Sequence, residues 1–376
     1  MQVINPFFTT TVIPDEFFCD RKQETEDIIR ILTNGNNLVL KGPRRMGKSG
    51  LIHHVFSDKR ISGKYNTFYF DIYATSSLEE FTRLLAKALY DSLAGRGAKF
   101  ANSFLQTIQS FTMKMAPDQL SGMVLPEFGY RQAPVPEHTL DELFDYLEKS
   151  SVPNVVAIDE FQTIGTYAEK NVEALLRTRI QRMSNTKFIF SGSEKHMLDI
   201  MFSSSDNPFY SSARSMDISR IPEDVYCRFA KEMFAKYGKS IEKDAISYVY
   251  NLFDGVTYYL QEAMNELFSL SSDPTVRTRE DVEEAVRRLV LSNTSRCQDI
   301  LSGLTLIQRK LLVAIAKEWD AIDITSAAFI SRHGLASASS VQSATRALIA
   351  KKLIVNDSKT YSLPDKYLAL WIRINQ

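Results

Sequence analysis

The stretch that most constrains this chain is Asn37-Leu38-Val39-Leu40-Lys41 followed by Gly42-Pro43-Arg44-Arg45-Met46-Gly47-Lys48-Ser49. A short apolar run enters the pattern G-x-x-x-x-G-K-S and continues into a helical stretch, Gly50 to Phe56. The two glycines let the backbone wrap an anion, so that consecutive N–H groups point at a polyphosphate. The following helix adds its own unpaired N–H groups and the positive end of its dipole. On this reading Gly42, Pro43, Arg44, Arg45, Met46, Gly47, Lys48, Ser49 and Gly50 form a nucleotide-binding loop. Lys48 reaches the β- and γ-phosphates, and the Ser49 hydroxyl holds Mg2+. The bland alternative is a Gly-rich turn with a surface lysine. At average residue frequencies the pattern arises by chance in roughly one chain of this length in a hundred, and the strand–loop–helix setting weighs further against it.

Other short apolar runs resemble the one before the loop: Thr67–Ile72, Asn154–Ile158, Lys187–Phe190 and a weaker Ser215–Ile218. Such runs suit a parallel sheet covered on both faces. Alternating with helices, they predict an α/β fold, the P-loop NTPase three-layer sandwich. A helix over Arg21–Leu32, N-capped by Asp20, comes first. About residues 77–150 read as a helical insertion. It holds helices at Leu78–Leu93, Lys99 to about Met115 and Thr139–Lys149, and a Pro- and Gly-broken stretch over Pro117–Pro136. From Pro222 the texture becomes helical, with no strand expected until about residue 353, and this predicts an all-α lid domain. Helices at Leu306–Trp319, Ser326–Ser331 and Ser339–Lys351 then precede two short strands, Lys352–Val355 and Thr360–Leu363, the pattern of a winged helix. At 376 residues the chain has room for this division into 1–221, 222–298 and 299–376.

A second constellation supplies chemistry. Asp159 and Glu160 end an apolar strand, where a P-loop protein needs a metal-side acid and a general base. The first would hold Mg2+ through water, and the second would polarise the water that attacks the γ-phosphate. The alternative is a pair of surface acids capping the next helix. Ser191 and Ser193 end the strand expected beside the loop strand, within reach of the γ-phosphate or that water, unless they form a plain Ser-Gly-Ser turn. Arg214 is the candidate for neutralising transition-state charge, from a neighbouring subunit; Arg177, Arg179 and Arg182 are lesser candidates, and exposed arginines are commonly just solvated. The His53-His54 pair reads as packing behind the loop.

Basic and acidic residues balance at 45 each, so no global field draws the chain to nucleic acid or membrane. Residues 303–376, however, hold ten Lys or Arg against five acids. With Ser340, Gln342, Ser343 and Arg346 on the candidate recognition helix, this bias makes double-stranded DNA a partner to test; packing against protein is the alternative. Cys19, Cys227 and Cys297 form no metal pattern. No signal peptide and no span of about 18 apolar residues is seen, so a cytoplasmic protein without a membrane partner is expected.

Taken together, these residues resemble the STAND-type ATPases of the AAA+ superfamily, close to the replication-initiator-like clade known as the archaeal ATPase family. The resemblance covers nearly the whole chain. It rests on Phe18-Cys19-Asp20-Arg21-Lys22-Gln23-Glu24, on Gly42 to Ser49, on Val155 to Gln162, on Phe190-Ser191-Gly192-Ser193 and on Asn207-Pro208-Phe209-Tyr210. It implies an adenine nucleotide, ATP or ADP, with Arg21 in the box near the nucleotide. Two positions depart from the pattern: Thr257 stands where the lid usually carries proline, and Ser212 stands where an arginine is usual. The expected function is a Mg2+-dependent ATPase switch whose nucleotide state repositions the winged helix, with a protein partner or homo-oligomer as a further expectation. The alternative is a non-hydrolysing nucleotide-binding scaffold for protein or DNA; a metabolite kinase is a weaker option that leaves the wing without a role.

Overall fold

Residues 5–117, 124–130, 136–270, 276–357 and 359–376 are described by the computed structural model. Residues 1–4 and parts of the expected 117–136 loop lie outside them. The described chain divides into two units, residues 10–220 and residues 5–9 with 221–376.

The first unit is built on continuous apolar strands. Helix α1 (Lys22–Thr33) leads to β1 (Leu38–Lys41), α2 (Lys48–Ser57), α3 (Lys59–Ser62) and β2 (Asn66–Asp71). After α4 (Leu78–Ala94) and α5 (Ala98–Thr107) come β3 (Phe111–Pro117), β4 (Val124–Tyr130) and α6 (Pro136–Glu148). Then follow β5 (Asn154–Asp159), α7 (Val172–Arg182), β6 (Thr186–Gly192), α8 (Lys195–Ser203) and β7 (Arg214–Asp217). Five strands form one parallel sheet in the order β2-β5-β6-β1-β7. β1, β5 and most of β6 are buried on both faces, as their unbroken apolar runs require. Because the strands run the same way, their carboxyl ends gather Gly42, Asp159 and Gly192 along one edge.

Two expectations fail here. The helix expected to reach Met115 stops at Thr107, and β3 pairs antiparallel with β4, Phe111 opposite Tyr130. The alternation Phe111-Thr112-Met113-Lys114-Met115 is a strand period that outweighs the helical count. The cap of α1 is Arg21, in the left-handed region at φ 64°, instead of Asp20. That turn carries the Arg21 side chain inward, where it is 4% exposed.

The second unit runs α9 (Glu223–Lys236), β8 (Ser240–Ile241), α10 (Lys243–Leu252), α11 (Thr257–Leu270), β9 (Val276–Arg277), α12 (Arg279–Ser292) and α13 (Thr294–Ser302). It continues through α14 (Leu306–Glu318), β10 (Ala321–Ile322), α15 (Ala327–Arg332), α16 (Ala338–Ala350), β11 (Val355–Asp357), β12 (Thr360–Ser362) and α17 (Lys366–Asn375). The two-residue β8–β9 pair corrects the expectation of a strandless segment. The wing gains a third strand, in the order β10-β12-β11. α17, unforeseen, buries Tyr367, Leu368, Trp371 and Ile372. It ties the wing to the helices before it: Trp371 donates to Thr294 Oγ1 at 3.1 Å, and Lys366 pairs with Asp254 at 2.5 Å. Phe7 belongs to this unit too, fully buried against the rings of Phe229, Phe234 and Phe268.

Behind the site edge, Phe190 is fully buried among Phe161, Phe202 and Phe209, with centroids 4.5, 5.2 and 5.6 Å away. Truncating such a ring removes its transfer energy and leaves a cavity. Phe190→Ala should lower the stability of the 10–220 unit by about 3–5 kcal/mol, read as an earlier urea midpoint in its unfolding transition.

Candidate nucleotide site

The loop between β1 and α2 turns at Gly47, whose φ of 88° lies in the left-handed region and whose Cβ position faces open space. An L side chain there is strained, so glycine sets the turn that starts α2. Pro43, Arg44 and Arg45 are exposed, whereas Met46 is buried and anchors the loop from beneath. Lys48 is also buried, and its ammonium donates to Gly42 O at 2.7 Å and Pro43 O at 2.9 Å. Burial lowers the Lys48 pKa from the usual lysine range, while the charges of Glu160 and Asp159 act against that shift. The ammonium thus lies across a loop of backbone amides, between two carboxylates and the start of a helix, a setting that fits a polyphosphate.

Asp159 ends β5 with a side chain only 3% exposed. A buried carboxylate persists only when its lone pairs are matched, and here four donors meet it. Ser191 Oγ (2.5 Å) and the Glu160 N–H (3.0 Å) donate to Oδ1; Ser49 Oγ (2.5 Å) and Tyr69 Oη (2.6 Å) donate to Oδ2. Burial pushes the Asp159 pKa up, and the bonds from Ser191, Ser49, Tyr69 and the amide together outweigh it, leaving the carboxyl below its ordinary value of 3.8.

Glu160 follows at φ 54°, a left-handed conformation that is costly without glycine and common where strain serves a site. The turn brings its Oε2 to Gln162 Nε2 at 2.5 Å, Ser193 Oγ at 2.8 Å and the Ser193 N–H at 3.3 Å. Its other oxygen takes no hydrogen bond among the described residues. Gln162 is 4% exposed and fits only because position 192 is glycine: a Cβ there would lie 2.0 Å from Gln162 Oε1.

The candidates from sequence are thus partly assembled. Lys48, Ser49, Asp159 and Glu160 converge. Ser191 and Ser193 join them through the two acids, each hydroxyl bonded to a carboxylate. Arg21 lies beneath the loop: its guanidinium pairs with Glu24 at 2.7 Å and donates to Ser219 O at 2.7 Å and Met46 O at 3.5 Å. Gly42 packs so tightly on Ile218 that a Cβ would approach its Cγ2 to 2.2 Å, and Gly50 lies 3.7 Å from Thr11 O by the same measure. Arg214 is set apart. It is exposed and pairs with Leu38 at the start of β1, about 10 Å down the sheet from Lys41 by the strand rise. Arg179 pairs with Asp141 at 2.6 Å, and Arg182 is exposed. His53 and His54 pack as expected, against Tyr69 (4.5 Å) and Phe18 (3.9 Å). Tyr69 and Gln162 join the site without a motif to mark them. The signal for Tyr69 is its alternation with Phe68 and Phe70, which turns it away from their face.

The donor set suits a hard cation: a hydroxyl and a carboxylate 2.5 Å apart at the rim of an anion cradle. Among the described residues no group of three or more His, Cys, Asp or Glu side chains could hold a metal alone. An ion here would complete its shell with phosphate oxygens and water, the usual habit of Mg2+.

With this geometry in view, the comparisons are direct. Residues 18–263 match the family described as "ATPase domain predominantly from Archaea", and residues 296–374 match a "probable winged helix domain". The first match spans well over half the chain, and the protein belongs to that archaeal ATPase family. An uncharacterized ATP-binding protein of Methanocaldococcus jannaschii is 25% identical over 328 residues, covering 80% of this chain and 82% of its own. The Walker-type ATPase PABY2304 of Pyrococcus abyssi shares the fold at a TM-score of 0.66 and 18% identity, over 98% of this chain and 99% of that one. So does the ORC1 protein of Aeropyrum pernix, solved in complex with DNA, at 0.54 and 12%, over 98% and 96%.

Ser191→Ala removes one donor from a buried carboxylate, which costs about 1–3 kcal/mol. A carboxyl held below its unfolded pKa contributes stability above that pKa and loses it as pH falls through the folded value. Without Ser191 the folded pKa rises, so acid unfolding of Ser191→Ala should begin at higher pH than in the wild type, measured by circular dichroism.

Proposed function

We propose that this protein is a Mg2+-dependent ATPase switch of the STAND and AAA+ type, whose nucleotide state repositions the unit that carries the winged helix. The observation that carries the reading is the convergence of Lys48, Ser49, Asp159 and Glu160 at the carboxyl edge of one sheet. Family membership and the ATP-binding description of the Methanocaldococcus relative support ATP as the nucleotide.

On binding, the loop amides and the start of α2 take the phosphates, and the Lys48 ammonium exchanges the Gly42 and Pro43 carbonyls for phosphate oxygens. Ser49, and Asp159 through water, would hold Mg2+, whose chemistry is to neutralise charge on the β- and γ-phosphates. Glu160 is the general base. Its Oε2 is fixed by Gln162 and Ser193, and the other oxygen takes the proton. Arg214 acts on a second subunit's nucleotide, since it begins β7 at the far end of the sheet.

The winged helix and the basic excess of residues 303–376 support duplex DNA as the output partner, with Ser340, Gln342, Ser343 and Arg346 on α16 as base-edge contacts; ORC1, of the same fold, was solved with DNA. The second reading, a non-hydrolysing scaffold, is favoured by Ser212, whose hydroxyl is bonded to Phe209 O at 2.6 Å in the place of an arginine.

Lys48→Ala should weaken ATP binding at least about 100-fold, measured with a fluorescent ATP analogue. Glu160→Gln should keep binding and lose turnover by about 10²–10⁴-fold, assayed as phosphate release with and without duplex DNA. Wild-type protein that binds ATP, melts at higher temperature with it and never turns it over would favour the scaffold instead.

A further inference from the structure

We infer that Tyr69 is a positioning residue for the metal limb of this site, holding Asp159 Oδ2 in register with the Ser49 hydroxyl. The inference rests on the ATP reading above and deepens it. Tyr69 stands on β2, hydrogen-bonded as a strand to β5 with Tyr69 opposite Ala157, two residues before Asp159. From there its hydroxyl crosses to Asp159 Oδ2 at 2.6 Å, the same oxygen that Ser49 meets at 2.5 Å.

The two donors to that oxygen differ in kind. Ser49 begins a helix at the phosphate loop, and its hydroxyl has a second duty as a metal ligand. Tyr69 comes from an adjacent strand, has no phosphate or metal to serve, and is braced by the His53 ring at 4.5 Å. A phenol facing a carboxylate at 2.6 Å is the donor, since the carboxylate oxygen can only accept. Oδ2 therefore has one donor that moves with nucleotide chemistry and one that does not. With Tyr69 in place Oδ2 stays aimed at the Ser49 side of the site whichever ligand is present. Without it, Oδ2 keeps only Ser49 and follows that hydroxyl wherever the cation draws it, while Ser191 and the Glu160 amide hold Oδ1 alone.

Outer partners of this sort change metal affinity by about 10–100-fold when removed. The experiment is a fluorescent-ADP titration of full-length wild type, Tyr69→Phe and Tyr69→Leu over a range of Mg2+ concentrations, with an EDTA series for metal-free binding. Tyr69→Phe should need about 10-fold more Mg2+ for the half-maximal metal-dependent rise in affinity, with its EDTA affinity close to wild type and its melting temperature lowered no further than that of Ser191→Ala. Tyr69→Leu, which also removes the ring, should shift the Mg2+ midpoint at least as far. A Tyr69→Phe midpoint equal to wild type overturns the inference while leaving the ATP reading intact. A wild type that binds no nucleotide with or without Mg2+ overturns both.

Discussion

The buried carboxylate of Asp159 is the constraint to which the rest of the site answers. A charge this far from water survives only with its oxygens occupied, and the four donors come from β2, the start of α2, the end of β6 and the next amide in the chain. The three side-chain donors therefore fix β2, α2 and β6 relative to β5. Sheet order follows the same requirement: β2 and β6 flank β5, and β1, which delivers the phosphate loop, sits next to β6. Chemistry and packing share the same bonds. A substitution that loosens one donor shifts both the stability of the sheet edge and the aim of the carboxylate, so function and folding are hard to separate at this position.

Glu160 shows a related economy. Its left-handed backbone is unfavourable locally, yet it allows a residue that ends a strand to turn back toward β6 and meet Ser193 and Gln162. The strain is held by a glycine on the neighbouring strand: Gly192 leaves room for the Gln162 amide. Sites of this kind keep backbone strain where the surrounding contacts over-determine it.

Much of this was legible in the sequence, for physical reasons that differ by element. The parallel sheet was readable because strands buried on both faces must be apolar throughout, as at Val155–Ile158. The loop was readable because a phosphate cradle needs glycine and lysine at fixed spacing. Arg21 was expected near the nucleotide from the resemblance alone, and its guanidinium lies beneath the loop on the Met46 and Ser219 carbonyls, contacts that no local pattern announces. α5 was over-extended because Phe111–Met115 satisfies a strand period as well as a helical one. α17 was missed because its burial depends on Thr294, 77 residues before Trp371, and on Asp254, still further back in the chain. Phe7 escaped for the same reason, since its aromatic partners begin at residue 229. Tyr69 looked like one more strand aromatic, and only the register of β2 on β5 gives it a role.

The chain passes between its two units twice, near residues 9–10 and again near 220–221. Just inside the sheet unit, Thr11 lies against Gly50 at the start of α2, and Ile218 lies against Gly42 at the start of the loop. Arg21 links Ser219 to the loop carbonyl of Met46. Both ends of the sheet unit are thus seated against the phosphate loop and the helix it opens, so a shift of the loop is felt at the two termini of that unit at once.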